Sequence, residues 1–499
     1  MRFSLSTASA VAALAGSLFA PAVNAISTKE ISGRYFVDSD TGEPFFLKGV
    51  DYQPGGSSTF EEGTDPLAET EACARDIYLF EQLGVNTIRV YSVDPSLDHD
   101  VCMTLLAEAG IYLVLDVNTP VYGQYLNRDE PWTTYTKSYL THVFSVMEAF
   151  SGYNNTLGFF AGNEIVNNVT SAYASPNYIK AVVRDMKQYA ANHLNRAVPI
   201  GYSAADDTRY RTSLAAYLES GPEEDAVDFY GINSYSWCGT QTIESSGYDV
   251  LIDDYSNFSL PIFFSEFGCN EVTPRTFQEV TALFSDEMTI IFSGGLAYEF
   301  TQETSDYGLV TIYSGNGTAL ELTDYDTLQT RYAAVVNNSY ATSTAPARPT
   351  TYNTTYDNIS SNTTLPNTLA ADVIADGLNS SYVRGAFVET TITTTNYTIM
   401  DSDYTVLTDT EIEIVDELVI SDESATEQTD NVTSTATSSS SSASSTSSSS
   451  GSSSSSSSTT SSSSSSTTSS TSAANALSVF KDATVCIAVV VALLTAIIV

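Results

Sequence analysis

The chain has 499 residues, of which 60 are acidic and 19 basic, giving a formal net charge of −41. That excess of negative charge argues against nucleic acid or an anionic membrane surface as partner and suits a neutral substrate. The length exceeds one domain, but composition removes a large part of it from any packed core.

Residues 1–25 read as a secretory signal. Arg2 supplies the charged start, 5–20 is apolar and small, and Val23-Asn24-Ala25 fits a cleavage site. From 26 to 340, β-rich runs alternate with amphipathic helical stretches. The spacing predicts strands over 45–53, 85–93, 112–119, 157–164, 198–203, 227–235, 261–266 and 290–298. It predicts helices over 69–83, 98–109, 133–150, 177–193 and 276–288; in the first, Cys73, Ile77, Phe80 and Leu83 recur at helical steps. Strands mostly followed by helices point to an α/β fold, a (β/α)8 TIM barrel rather than an open doubly wound sheet, and no Gly-rich dinucleotide fingerprint opens a helix.

Residues 341–433 are rich in Thr, Asn and Tyr and read as a glycosylated extension, with β-prone runs such as 412–420 suggesting a small β element packed on the barrel. Residues 434–475 are nearly all Ser and Thr, a composition for an O-glycosylated, disordered stalk. The tail, 476–499, follows small residues at 472–476 and is apolar from Thr484 onward, the order of a GPI-anchor signal; a transmembrane tail is the alternative. Sequons at Asn154, Asn168, Asn257, Asn316, Asn337, Asn353, Asn358, Asn362, Asn379, Asn396 and Asn431 agree with a secreted glycoprotein. With Cys486 in the tail, Cys73, Cys102, Cys238 and Cys269 remain; several connectivities are open, and locality in the scaffold favours Cys73–Cys102 and Cys238–Cys269.

Two of the apolar strand candidates end in glutamate beside a turn: Gly162-Asn163-Glu164 and Phe264-Ser265-Glu266-Phe267-Gly268. A buried strand that delivers a carboxylate at its C-terminal tip is an unusual use of a charge. In a barrel, the fourth and seventh strand ends face one mouth, and paired carboxyls there are the machinery of glycosidic cleavage. Glu164 is assigned as acid/base and Glu266 as nucleophile. Asn163 is suited to hold a sugar hydroxyl, and Tyr235 to donate to Glu266. Tyr91, Tyr298 and Tyr307 are candidates for sugar contacts, and Gln53, Asp116, Asn118 and Asn233 add strand-end polar groups. No metal or cofactor is expected: the three histidines show no metal spacing, and Gly201-Tyr202-Ser203-Ala204-Ala205 lacks the closing glycine of a nucleophile elbow.

The stretches Lys48-Gly49-Val50-Asp51-Tyr52-Gln53-Pro54-Gly55-Gly56, Asn86-Thr87-Ile88-Arg89-Val90-Tyr91, Ala161-Gly162-Asn163-Glu164, Gly201-Tyr202-Ser203-Ala204-Ala205-Asp206, Tyr235-Ser236-Trp237-Cys238-Gly239 and Phe264-Ser265-Glu266-Phe267-Gly268-Cys269-Asn270 resemble the fungal β-1,3-glucanosyltransferases of glycoside hydrolase family 72. The resemblance covers roughly 26–340. It implies GPI-anchored enzymes of the plasma membrane and cell wall that cleave a β-1,3-glucan chain internally and pass it to the non-reducing end of another. It implies acid/base and nucleophile roles at Glu164 and Glu266, and sugar contacts at Gln53, Tyr91, Asp116, Asn163, Tyr235, Tyr298 and Tyr307. The Cys-rich glucan-binding module of some members has no counterpart here, because no cysteine lies between Cys269 and Cys486. Two alternatives stand beside transfer: a retaining endo-β-1,3-glucanase, and a non-catalytic glucan-binding wall glycoprotein.

Overall fold

The computed structural model describes residues 26–335, 340–379, 384–415 and 418. The signal, the Ser/Thr-rich stalk, the apolar tail and the sequons at Asn337 and Asn431 lie outside the described residues.

Three short antiparallel strands, β1 (Lys29–Ser32), β2 (Tyr35–Asp38) and β3 (Pro44–Phe45), precede the barrel. Eight parallel strands then close on themselves: β4 (Leu47–Asp51), β5 (Thr87–Val90), β6 (Tyr112–Asp116), β7 (Thr156–Asn163), β8 (Ile200–Ala205), β9 (Phe229–Asn233), β10 (Ile262–Phe267) and β11 (Gly294–Ala297). Each lies inside or overlaps one predicted run, so the barrel was read in the correct register.

Phenylalanines fill the barrel's N-terminal half. Phe36 of β2 packs on Phe229 and Phe263, at 5.5 and 6.2 Å between ring centres, and Phe160 completes the group. The preceding sheet therefore plugs the barrel bottom. Gly158 and Gly201 flank the Phe229 ring; a Cβ at either position would fall 2.6 or 2.4 Å from it, so only glycine leaves room.

The predicted helix 276–288 is two short helices, Glu279–Leu283 and Asp286–Thr289. Ser285 breaks it, accepting the Met288 N–H on its side chain as an N-cap. A hairpin of β12 (Val310–Tyr313) and β13 (Thr318–Glu321) follows the barrel. Both disulfides are formed in the favoured pairing. Cys73–Cys102 joins the helices Thr70–Leu83 and Asp100–Glu108, and Cys238–Cys269 joins the loops leaving β9 and β10.

Residues 340–379 and 384–415 run as a strap over the outside of the barrel. Arg348 donates to the carbonyls of Glu219 and Gly221, and the Tyr356 hydroxyl meets Ser220. Arg184 donates to Pro366, Ile374 accepts from Asn192, and the Ala386 N–H reaches Asp100. A two-residue strand, β14 (Ile399–Met400), adds in parallel to β13. The run 412–415 forms no strand: the Ile412 N–H closes only an isolated bridge of Glu411 to Thr394, and beyond it the N–H of Glu413 goes to the Glu81 carboxylate and that of Val415 to the Glu108 carbonyl.

Candidate active site

Glu266 stands near the tip of β10, where the pairing with β9 and β11 slips register between Phe264 and Phe267. Such a bulge re-aims one side chain without ending the sheet. The Glu266 residue is 7% exposed, and its carboxylate receives three side-chain hydrogen bonds. Tyr235 donates to Oε2 at 2.6 Å, and Tyr91 and Arg89 donate to Oε1 at 2.8 and 3.3 Å. Burial pushes the Glu266 carboxyl up to about 7 against the pull of Arg89, and the charge of Glu164 adds to the rise while both phenols oppose it. Arg89 and the two phenols thus favour the ionised form against the burial that disfavours it.

Arg89 organises the floor. It lies inside the barrel on β5, forks onto Asp116 at 3.0 and 2.9 Å, and sends its remaining nitrogen to Glu266 and the Ser265 carbonyl. Its guanidinium stacks 4.2 Å from the Tyr91 ring centre. Asp51, at the end of β4, is fully buried and neither carboxylate oxygen has a partner among the described residues. Burial drives its carboxyl well above the ordinary range, outweighing the pull of Arg89.

Glu164 follows the last residue of β7 at φ +47°, a left-handed conformation that a non-glycine residue adopts at a cost of about 1–3 kcal/mol. Its N–H is tied to the Ser203 carbonyl at 2.8 Å. Asn233 donates to Glu164 Oε1 at 3.0 Å and to Asn163 Oδ1 at 3.1 Å. The Asn233 oxygen in turn accepts from Ser203 and Ser265, which fixes which way its amide points. The charges of Arg128 and Glu164 also act on each other. Glu164 and Glu266 thus open onto one mouth and feel each other's charge.

The tyrosines form one wall. Tyr235, Tyr298 and Tyr307 meet edge-to-face with ring centres 5.3–6.2 Å apart, and Tyr91 joins through Tyr298. Arg275 anchors the wall from behind, donating to the carbonyls of Tyr298 and Tyr307. Gln53 is turned inward: its oxygen accepts the N–H groups of Tyr91 and Ser92, locking the tips of β4 and β5 together. Asp116 serves Arg89, and Asn118 bridges Tyr139 and the Ala161 carbonyl. Reading by sequence passed over Arg89, Asp51 and Arg128 as site residues and gave Asn233 no role. A cation between Ile88 and Val90 in a buried strand was the available signal.

A polar mouth with two opposed carboxyls at the ends of the fourth and seventh strands is the layout of a carboxyl-pair glycosidase. A profile of the glucanosyltransferase family, glycoside hydrolase family 72, matches residues 18–336, and the chain belongs to that family. It is 58% identical over 310 residues to 1,3-beta-glucanosyltransferase GAS4 of Saccharomyces cerevisiae, covering 62% of this chain and 66% of GAS4. It is 49% identical over 336 residues to 1,3-beta-glucanosyltransferase gel2 of Aspergillus fumigatus, covering 66% of this chain and 70% of gel2. Thus the chain spans about two thirds of the length of these relatives. Among solved structures it is similar to Saccharomyces cerevisiae Gas2p in complex with laminaripentaose, with a TM-score of 0.59 and 40% identity over 63% of this chain and 71% of that one. A Gas2p mutant in complex with laminaritetraose and laminaripentaose matches at 39% identity with the same TM-score, over 64% of this chain and 72% of that one.

Proposed function

We propose that this chain is a retaining β-1,3-glucanosyltransferase that acts in assembly and remodelling of a fungal cell wall. The observation that carries the reading is the asymmetry of the two carboxyls: Glu266 is buried and receives Arg89 and two phenols, whereas Glu164 is only partly buried and receives one amide. The relatives named as 1,3-beta-glucanosyltransferases and the laminari-oligosaccharides bound by Gas2p support the substrate class.

In the first step Glu266 attacks the anomeric carbon of the donor, the glycosidic C–O bond breaks, and Glu164 gives its proton to the departing oxygen. The donor's new reducing end is then an ester of Glu266. In the second step Glu164, now ionised, removes a proton from the non-reducing-end hydroxyl of an acceptor, and that oxygen displaces Glu266. Asn233 positions Glu164, and Arg89, Tyr91 and Tyr235 stabilise Glu266 whenever it carries charge. Asn163, Tyr298 and Tyr307 complete the proposed sugar-binding lining, which Gln53 and Asp116, expected there, support from beneath through Tyr91 and Arg89. The leader, the small-residue segment at 472–476 and the apolar tail support delivery to the outer face of the plasma membrane on a GPI anchor.

Incubation with reduced laminari-oligosaccharides and sizing of the products tests the reading. Products longer than the substrate are expected. Only shorter products would make the chain an endo-glucanase, and an unchanged substrate would leave a binding protein.

A further inference from the structure

Beside the catalytic mouth lies a separate cavity of about 350 Å³, a size within the ~300–1,000 Å³ of small-ligand sites. The turn 53–56 at the end of β4 forms one wall. Glu303, on the loop that carries Tyr307, fastens that turn by accepting the Gly55 N–H at 2.9 Å. The cavity and the tyrosine wall are therefore neighbours across one turn.

The opposite wall belongs to the β12–β13 hairpin and to the strap. Glu71 clamps the strap there, accepting both the backbone N–H and the side-chain amide of Asn396 at 3.0 and 2.9 Å. That contact delivers Tyr397 into the cavity lining, where its ring packs on Gly317 and lies 5.2 Å from the Arg75 guanidinium. Without the strap this wall is missing.

The chemistry of the lining selects a ligand class. Arg75 is already neutralised by a bidentate bond to Asp76, so no free cation is offered to an anion. Phe60, Tyr313 and Tyr397 present rings, and Tyr313 is 43% exposed. The Glu69 carboxylate and the hydroxyls of Ser314, Tyr313 and Tyr397 line the cavity without hydrogen-bond partners among the described residues. Flat apolar faces with unused acceptors and hydroxyls, under net negative charge, fit a neutral polyhydroxylated ring.

We propose that this cavity is a second saccharide site, closed by the strap, that holds sugar units of the same β-1,3-glucan away from the bond being cleaved. The proposal rests on the glucan reading above. A long chain is then gripped at two places, and a short one only at the catalytic mouth.

The test compares wild type with Tyr313→Ala, which removes a surface ring, and Tyr397→Ala as a second variant. Loss of one stacking ring is expected to raise KM for a long laminarin donor by about fivefold, with kcat held within about twofold. Calorimetric titration of long laminari-oligosaccharides into Glu266→Gln and Glu266→Gln/Tyr313→Ala full-length chains is expected to show the same loss of affinity. Circular dichroism and thermal unfolding identify a variant that has failed to fold. Long-donor KM and affinity equal to wild type in folded Tyr313→Ala and Tyr397→Ala overturn the second site. If wild type processes no glucan, the function is refuted instead, and the titration alone still decides whether the cavity binds saccharide.

Discussion

Tyr235 donates its phenolic proton to Glu266 at 2.6 Å, across the gap between two strand ends that the Cys238–Cys269 disulfide ties together. A donor to a carboxylate favours its charged form, so removing the phenol oxygen raises the Glu266 pKa from about 7. Hydrogen bonds to charged groups are worth about 1.5–3 kcal/mol, or roughly one to two pH units. Tyr235→Phe should therefore move the acid limb of the kcat/KM profile upward by about one unit and lower the rate most at acid pH. A profile superimposable on wild type would dissociate Tyr235 from the carboxylate.

Glu164 and Glu266 are separable by the step each serves. Glu164→Gln and Glu266→Gln should both lose roughly 10²–10⁴-fold in transfer with the fold intact by circular dichroism. A donor with a good leaving group, such as a glycosyl fluoride, needs no proton from Glu164. Glu164→Gln should then accumulate the glycosyl ester, seen as a mass adduct on the peptide containing Glu266. An adduct on any other residue would refute the assignment of the nucleophile.

Much of this was readable in the residues. The eight strands and both glutamates follow from hydrophobic runs ended by polar residues, a local signal. What was not readable depends on distant contacts or one-residue geometry. The bulge near Glu266 and the positive φ at Glu164 change no residue type that a periodicity test would notice. Arg89 looked like one polar interruption in an apolar strand until the barrel closed around it. The course of the strap was not readable beyond a β element packed on the barrel, because its polar groups bond to helices hundreds of residues earlier, as the Thr395 hydroxyl and the Asn396 N–H do to Glu71.

Arg89 shares one guanidinium among Asp116, Glu266 and the Ser265 carbonyl in a fully buried setting. Breaking a buried pair by removing one partner costs about 3–5 kcal/mol. Arg89→Met should lower the thermal midpoint by several degrees and abolish transfer. Arg89→Lys keeps the charge but not the fork and should fall between the two. Denaturant and thermal melts beside an activity assay check both, and a wild-type midpoint in Arg89→Met would show that the ion cluster adds nothing.

Buried carboxyls also set how stability varies with pH. Burial pushes Glu279 and Glu299 to about 7, so the folded chain holds protons there that the unfolded chain releases near its ordinary value of 4.5. Their stabilising contribution is complete below that unfolded value and is lost as pH rises through about 7. The thermal midpoint should therefore be higher at pH 5 than at pH 7.5. The general repulsion of a chain of net charge −41 acts in the same direction, so Glu279→Gln supplies the control. That variant should flatten the slope, and an unaltered slope would assign it to surface charge alone.

Sequon occupancy tests the strap as a packed element. Asn396 commits its side-chain amide nitrogen to Glu71, and Asn168 donates its amide nitrogen to Asp129 and Asn167. A glycan on either amide nitrogen replaces one of its two N–H groups and crowds that contact. Asn257 and Asn353 are exposed, and their side-chain amides have no hydrogen-bond partner among the described residues. In chain expressed through a secretory pathway, glycopeptide mass spectrometry should find Asn257 and Asn353 occupied and Asn168 and Asn396 bare. The sense of Asn396 is the sharper, because a glycan there would lift Tyr397 from Arg75 and open the wall of the neighbouring cavity. High occupancy at Asn396 in active protein would mean that the strap leaves the barrel at this point.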